Sequence, residues 1–180
     1  ARACLAHAAL LPRAEMPCRS GSTDEGGLKV RIFRFADLAT NPWKNGGGVT
    51  REVLRHEEMG FMHWRISIAD VASEGPFSAF PGLKRILTVI EGKGMWLERP
   101  KGPTLEAKLL QPLNFSGDEP IFGALPFGAC RDFNVIFDPR FVDATVDVWS
   151  PQSRAIQWAG GETFLLLGVS EETLLSNGER

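Results

Sequence analysis

A chain of 180 residues, 43% hydrophobic and 23% charged, is long enough to bury a core of its own, and a net charge of −2 with scattered Lys and Arg excludes the basic stripe of a nucleic-acid binder. Three dispersed cysteines, Cys4, Cys18 and Cys130, provide neither a disulfide framework nor a Cys-x-x-Cys pair, which points to a reducing, cytoplasmic setting. No apolar run approaches the roughly 18 residues needed to cross a bilayer, so no membrane partner is expected.

In chain order, residues 1–27 begin without Met and hold only a brief apolar patch, "CLAHAALL", broken by His7. They are expected to be a disordered or non-native leader, with residues 28–180 forming the folded domain. Short strands bounded by Gly, Pro, Asn and Asp are predicted at 29–35, 48–54, 62–70, 85–92, 94–99, 106–113, 131–137, 144–150 and 163–169. Helix is expected only in short pieces, at 35–40 and 76–80. "EEMGF" and "EGKG" read as hairpin turns, and Asn45-Gly46 as a type I′ turn. Many short strands without alternating helices predict an all-β antiparallel sandwich or barrel. The Pro- and Gly-rich segment 115–130 reads as the connector between two halves, 28–115 and 116–180.

Two strands carry the functional information. Along 62–70, Met62, Trp64, Ile66 and Ile68 alternate with His63, Arg65, Ser67 and Ala69. The first set belongs to a core; the second is either a solvated face or the lining of a polar cavity. Strand 131–137 repeats the division, with Arg131, Phe133, Val135 and Phe137 against Asp132, Asn134 and Ile136. A mixed polar face on two strands suits a barrel that holds one small ligand.

Three consecutive glycines in "NPWKNGGGVTREV" (41–53) mark a turn or a place of close backbone approach. Trp43 offers a flat apolar wall beside them, while Lys44, the Asn45 amide and the N–H of Gly46 offer donors to an anion. Arg65 can hold a carboxylate through two parallel hydrogen bonds; the structural alternative is an ion pair with Asp132 or Glu52. Asp132 and Asn134 can complete such a site by accepting from an amine or amide.

Together, "NPWKNGGGVTREV", "WRISIADV", "GPFSAFPGLKRILTVIEGKGMWL" and "DFNVIFD" resemble the HutD/Ves family of small cupin-type proteins, whose bacterial members are associated with histidine utilisation. The resemblance spans roughly residues 28–170 and falls on Pro42 to Gly48, Trp64 to Ser67, Phe77, Ser78, Phe80, Pro81, Gly82, Arg85 and Asp132 to Val135. It implies a cupin-like β-barrel of two packed halves (a bicupin) with a small-molecule pocket and a role in metabolic control. The ligand-binding set expected from residues and resemblance together is Trp43, Lys44, Asn45, Gly46, Arg65, Ser67, Asp132 and Asn134.

Metal-dependent cupins usually carry a His-x-His pair and a Glu, and this chain has only His7, His56 and His63. His56 and His63 flank the "EEMGF" turn, where Glu57 or Glu58 could join them at the rim, but they are expected to be an ordinary exposed pair: no metal and no other cofactor is predicted. No G-x-S-x-G elbow occurs, Cys130 reads as a small buried hydrophobe, and the spacing of Asp70, Glu74, Asp132 and Asp138 singles out no acid and base. No catalytic set is therefore assigned. The expected function is metal-independent binding of a small carboxylate metabolite, of the urocanate or formylated or formiminated glutamate class, in sensing or limiting histidine breakdown. The alternatives are an isomerase or hydrolase using Asp132, Lys44 or His63, and an interaction subunit. Exposed sheet edges make a homodimer a reasonable assembly.

Overall fold

The computed structural model describes residues 5–12, 33–149 and 163–168. Its strands are β1 (Leu5–Pro12), β2 (Thr40–Pro42), β3 (Gly48–Glu58), β4 (Phe61–Val71), β5 (Gly75–Pro76), β6 (Lys84–Glu91), β7 (Met95–Glu98), β8 (Leu105–Ala107), β9 (Leu113–Ser116), β10 (Phe122–Ala124), β11 (Cys130–Phe137), β12 (Val142–Trp149) and β13 (Thr163–Gly168). They form a six-stranded sheet in the order β2-β3-β4-β11-β6-β9, a four-stranded sheet β5-β10-β7-β8, and a three-stranded sheet β12-β1-β13. Every pairing between these strands is antiparallel.

Alternation along β4 and β11 assigns the two faces of the large sheet as the sequence predicts. Ile66, Ile68, Phe133, Val135 and Phe137 join Ile86, Leu10, Val142 and Val146 in one core, which lies toward the three-stranded sheet. Fully burying each such side chain contributes about 1.5–3 kcal/mol, enough to fix the register of both strands. On the opposite face Ala69, Val71, Leu87, Val89 and Phe115 pack against Met95, Leu97, Ala107 and Ile121 from the four-stranded side. The fold is thus an all-β antiparallel sandwich in which the two larger sheets do not close into a continuous barrel.

Several expectations are corrected. Residues 5–12, placed in a disordered or non-native leader, form β1 at the centre of the three-stranded sheet, with Leu10 only 2% exposed against the outer core. The possible halves 28–115 and 116–180 share the large sheet, since β11 runs between β4 and β6. Segment 115–130 contains the end of β9 and all of β10 rather than a bare connector. Of the strand expected at 29–35, residues 29–32 lie outside the described set, and Phe35–Asp37 forms a 3-10 turn within the helix expected at 35–40. Segment 76–80 is not helical; only Gly75–Pro76 pairs, as β5.

Turn chemistry explains two further differences. "EGKG" is not a hairpin, because β6 and β7 belong to different sheets. Gly94 sits at φ 114°, where a Cβ would come within 2.6 Å of the Ala107 carbonyl oxygen, so this crossover needs glycine. The run 106–113 is broken between β8 and β9 by Leu110, at φ 58°. "EEMGF" does form the expected hairpin turn, with Glu58 opposite Phe61 and positive φ at both Met59 and Gly60.

Candidate functional site

Register brings the polar residues of three strands onto one face. Arg65 lies opposite Ile136, which lies opposite Arg85; Ser67 lies opposite Asn134, and Ala69 opposite Asp132. This face and the β2–β3 turn enclose a cavity of about 580 Å³, whose lining includes Trp43, Lys44, Asn45, Arg65, Ser67, Arg85, Asp132 and Asn134. Of the alternatives left open for the second face of β4, the cavity is the one realised along Arg65, Ser67 and Ala69.

The β2–β3 turn uses its glycines structurally. Gly46, at φ 71°, donates its N–H to the Trp43 carbonyl at 3.0 Å, and the Gly47 N–H goes to the Asn45 side-chain oxygen at 3.0 Å. Asn45 itself has no positive φ, so the turn is not type I′. Gly46 is absent from the cavity lining, with its N–H already bonded, unlike the other seven residues of the expected set. A Cβ on Gly48 would lie 2.5 Å from the Asp70 carbonyl oxygen and 3.1 Å from the Trp43 ring. Gly48→Ala is therefore expected to destabilise the fold by about 1–3 kcal/mol, measured by urea denaturation, because neither obstacle is a flexible side-chain end. Trp43 is locked as the apolar wall by its indole N–H, which donates to the Thr50 hydroxyl at 2.8 Å.

Charge in the cavity is unbalanced toward the positive. Arg65 donates from Nε to Glu52 at 2.8 Å, the ion pair foreseen as its structural alternative, and the residue also lines the cavity. Arg85 is 5% exposed, makes one long hydrogen bond from Nη1 to the Ser78 carbonyl at 3.3 Å, and lies 4.9–5.4 Å from the ring centres of Phe77, Phe80 and Phe115. Burial pulls its pKa down to about 10, the Asp132 charge opposes that fall, and Arg65 adds to it. Asp132, 1% exposed, is pushed up to about 7 by burial, against the attraction of Arg85 and with a further push from Asp70.

Among the described residues four buried side-chain polar atoms lack a hydrogen-bond partner, and three belong to this lining: Arg85 Nε, Asp132 Oδ1 and Asn134 Oδ1. An unsatisfied buried polar group costs about 1–3 kcal/mol, so their convergence on one cavity marks a place built for something polar. The other acidic candidates are engaged elsewhere. Asp70 is bound by Arg51 and Arg131, whose hydrogen bonds hold it below its usual range despite burial; Glu74 accepts from the Leu125 N–H; Asp138 is bound by Arg140. Cys130 is buried, and burial pushes its thiol up to about 12, consistent with an inert hydrophobe.

A profile of the HutD family matches residues 35–179. The chain belongs to the HutD family. A Pseudomonas putida relative, described as an uncharacterized 21.2 kDa protein in the hutC 3′ region, is 35% identical over 154 residues, covering 84% of this chain and 80% of the relative. Protein Ves of Escherichia fergusonii is 32% identical over 142 residues, 78% of this chain and 74% of its own. The solved structure of HutD from Pseudomonas fluorescens SBW25 aligns with a TM-score of 0.57 at 42% identity, over 59% of each chain. A conserved protein of unknown function from Pseudomonas aeruginosa PAO1 aligns at 0.56 and 43% identity, over 61% of this chain and 58% of that one. This chain therefore spans less than two thirds of either solved chain.

Two features of this HutD-family site escape the reading of motifs as isolated blocks. Apart from the family resemblance, Arg85 at the head of "RILTVIEG" looks like a solvated strand end. Its parity with buried Leu87 and Val89, and the phenylalanines at 77 and 80, are the signals that place it inside. Conversely, His63 is absent from the cavity lining; its ring stacks on Phe141 with centroids 4.2 Å apart. No helix among the described residues is long and apolar enough to cross a membrane.

Proposed function

We propose that this HutD-family protein binds a small carboxylate metabolite in the cavity between the six-stranded sheet, the β2–β3 turn and residues 77–80, without a metal, and thereby senses or modulates histidine catabolism. The supporting observation is the pairing of two guanidiniums, Arg65 and Arg85, with unpartnered acceptor oxygens on Asp132 and Asn134 in one cavity. A carboxylate satisfies the cations through charge-assisted hydrogen bonds, and an N–H group on the same molecule satisfies the acceptors. Urocanate and formylated or formiminated glutamate carry both groups. The volume falls within the range of about 300–1,000 Å³ typical of small-molecule sites. The link to histidine breakdown comes from the family and from the relative in the hutC 3′ region.

Thermal unfolding with urocanate, formiminoglutamate, formylglutamate and unrelated acids tests this reading. A ligand at about 100 times its Kd stabilises the native state by about 2.7 kcal/mol, and Arg65→Ala is expected to remove that shift. A shift that survives Arg65→Ala, or no shift with any acid, overturns the reading.

The second reading is an isomerase or hydrolase acting on the same class of carboxylate. It is favoured by Asp132, whose pKa near 7 suits a proton carrier inside the cavity, with Lys44 at the lining; His63 has no place in it. Loss of the stabilising acid with time and appearance of a product would select this alternative.

A further inference from the structure

The β3–β4 hairpin carries a second group of chemically capable side chains, independent of the cavity. His56 and Glu58 on β3 and His63 on β4 each offer one ligand atom, and these three atoms lie within 4.8 Å of one another. The imidazole rings of His56 and His63 sit edge to face, with centroids 5.2 Å apart. Sequence spacing predicts an ordinary exposed pair here, yet His63 is only 6% exposed.

We propose that His56, Glu58 and His63 form a divalent-metal site, suited to zinc, at the end of the β3–β4 hairpin and outside the carboxylate cavity. The donor set is chemically apt: two imidazoles and one carboxylate supply three ligands of a tetrahedral zinc centre and leave a fourth position for water or a further ligand. Its geometry is held by the fold. Phe141 stacks at 10° to the His63 ring, the His63 carbonyl accepts the Asp138 N–H at 2.8 Å, and the Met59-Gly60 turn fixes the return of the chain. The buried Asp138 carboxylate lies near enough to His63 for their charges to interact.

None of the three side chains makes a hydrogen bond or ion pair among the described residues, whereas neighbouring Glu57 is paired with Arg55. Convergence of the ligand atoms needs only a modest inward adjustment, because His56 and Glu58 are exposed and can rotate onto the fixed imidazole of His63. The position is unlike that of a metal inside a cupin barrel, since none of the three residues lines the cavity.

Zinc titration of the full chain against a competing chelator, followed by the visible spectrum of the cobalt-substituted protein, tests the assignment. One ion per chain with tetrahedral cobalt bands is expected. His56→Gln and Glu58→Gln, both on exposed side chains, are each expected to weaken zinc by more than about tenfold while leaving the fold and any carboxylate response intact. Cys4, Cys18 and His7 provide other zinc-binding groups, so the variants make the assignment. Wild-type protein that takes up no stoichiometric zinc, or variants that bind it as tightly as the parent, overturn the proposal.

Discussion

Arg85→Met is expected to yield a protein at least as stable as the parent that no longer responds to carboxylates. Arg85 is a buried cation with one long hydrogen bond and an unpartnered Nε. Replacing a buried ion pair by apolar side chains is neutral or stabilising by about 1–4 kcal/mol, and Asp132, which loses its nearby cation, can take up a proton because burial already raises its carboxyl to about 7. Lost cation–π attraction to the phenylalanine rings offsets about 0.5–2 kcal/mol of that gain. Ligand affinity responds in the opposite direction: two charge-assisted hydrogen bonds at about 1.5–3 kcal/mol each correspond to a loss of at least about 100-fold. Urea denaturation and calorimetric titration with the stabilising acid measure the two effects separately. A destabilised variant that still binds would make Arg85 a scaffold residue and leave the anion to Arg65 and Lys44.

Asp132 governs the second large effect, on pH dependence. Its carboxyl is raised from 3.8 to about 7 in the native state, so between those values the native protein keeps a proton that the unfolded chain has released. Stability contributed by this residue is therefore full below pH 4, falls as pH rises towards 7, and is level beyond. The rise from 3.8 to about 7 corresponds to up to about 4 kcal/mol. Asp132→Asn removes the ionisable group while keeping its size, so the variant is expected to match the parent at pH 4 and exceed it in unfolding free energy at pH 8. Denaturation curves at pH 4, 6 and 8 give the comparison directly. Parallel pH profiles for parent and variant would mean that the carboxylate is solvated and that the cavity is not the dry, positive chamber inferred for ligand binding.

Much of this was legible in particular residues. Period-two alternation in "WRISIAD" and "DFNVIF" separates core from cavity, because only one register buries Ile66, Ile68, Phe133 and Val135 together. Trp43, Lys44 and Asn45 were readable as a wall because an aromatic, an ammonium and an amide cluster at one turn. The remainder depends on contacts distant in sequence. "EGKG" carries the chain to the other sheet because β7 pairs with β8 and β10, strands that follow it in the chain. Burial of Arg85 depends on rings from Phe77, Phe80 and Phe115, which no local pattern links to it. β1 went unrecognised because its partners, β12 and β13, lie more than a hundred residues away.

The placement of β11 between β4 and β6 has an evolutionary consequence. Loss or gain of one codon within it would turn the strand inside out, presenting phenyl and isopropyl groups to the guest and forcing a carboxyl and an amide into oil.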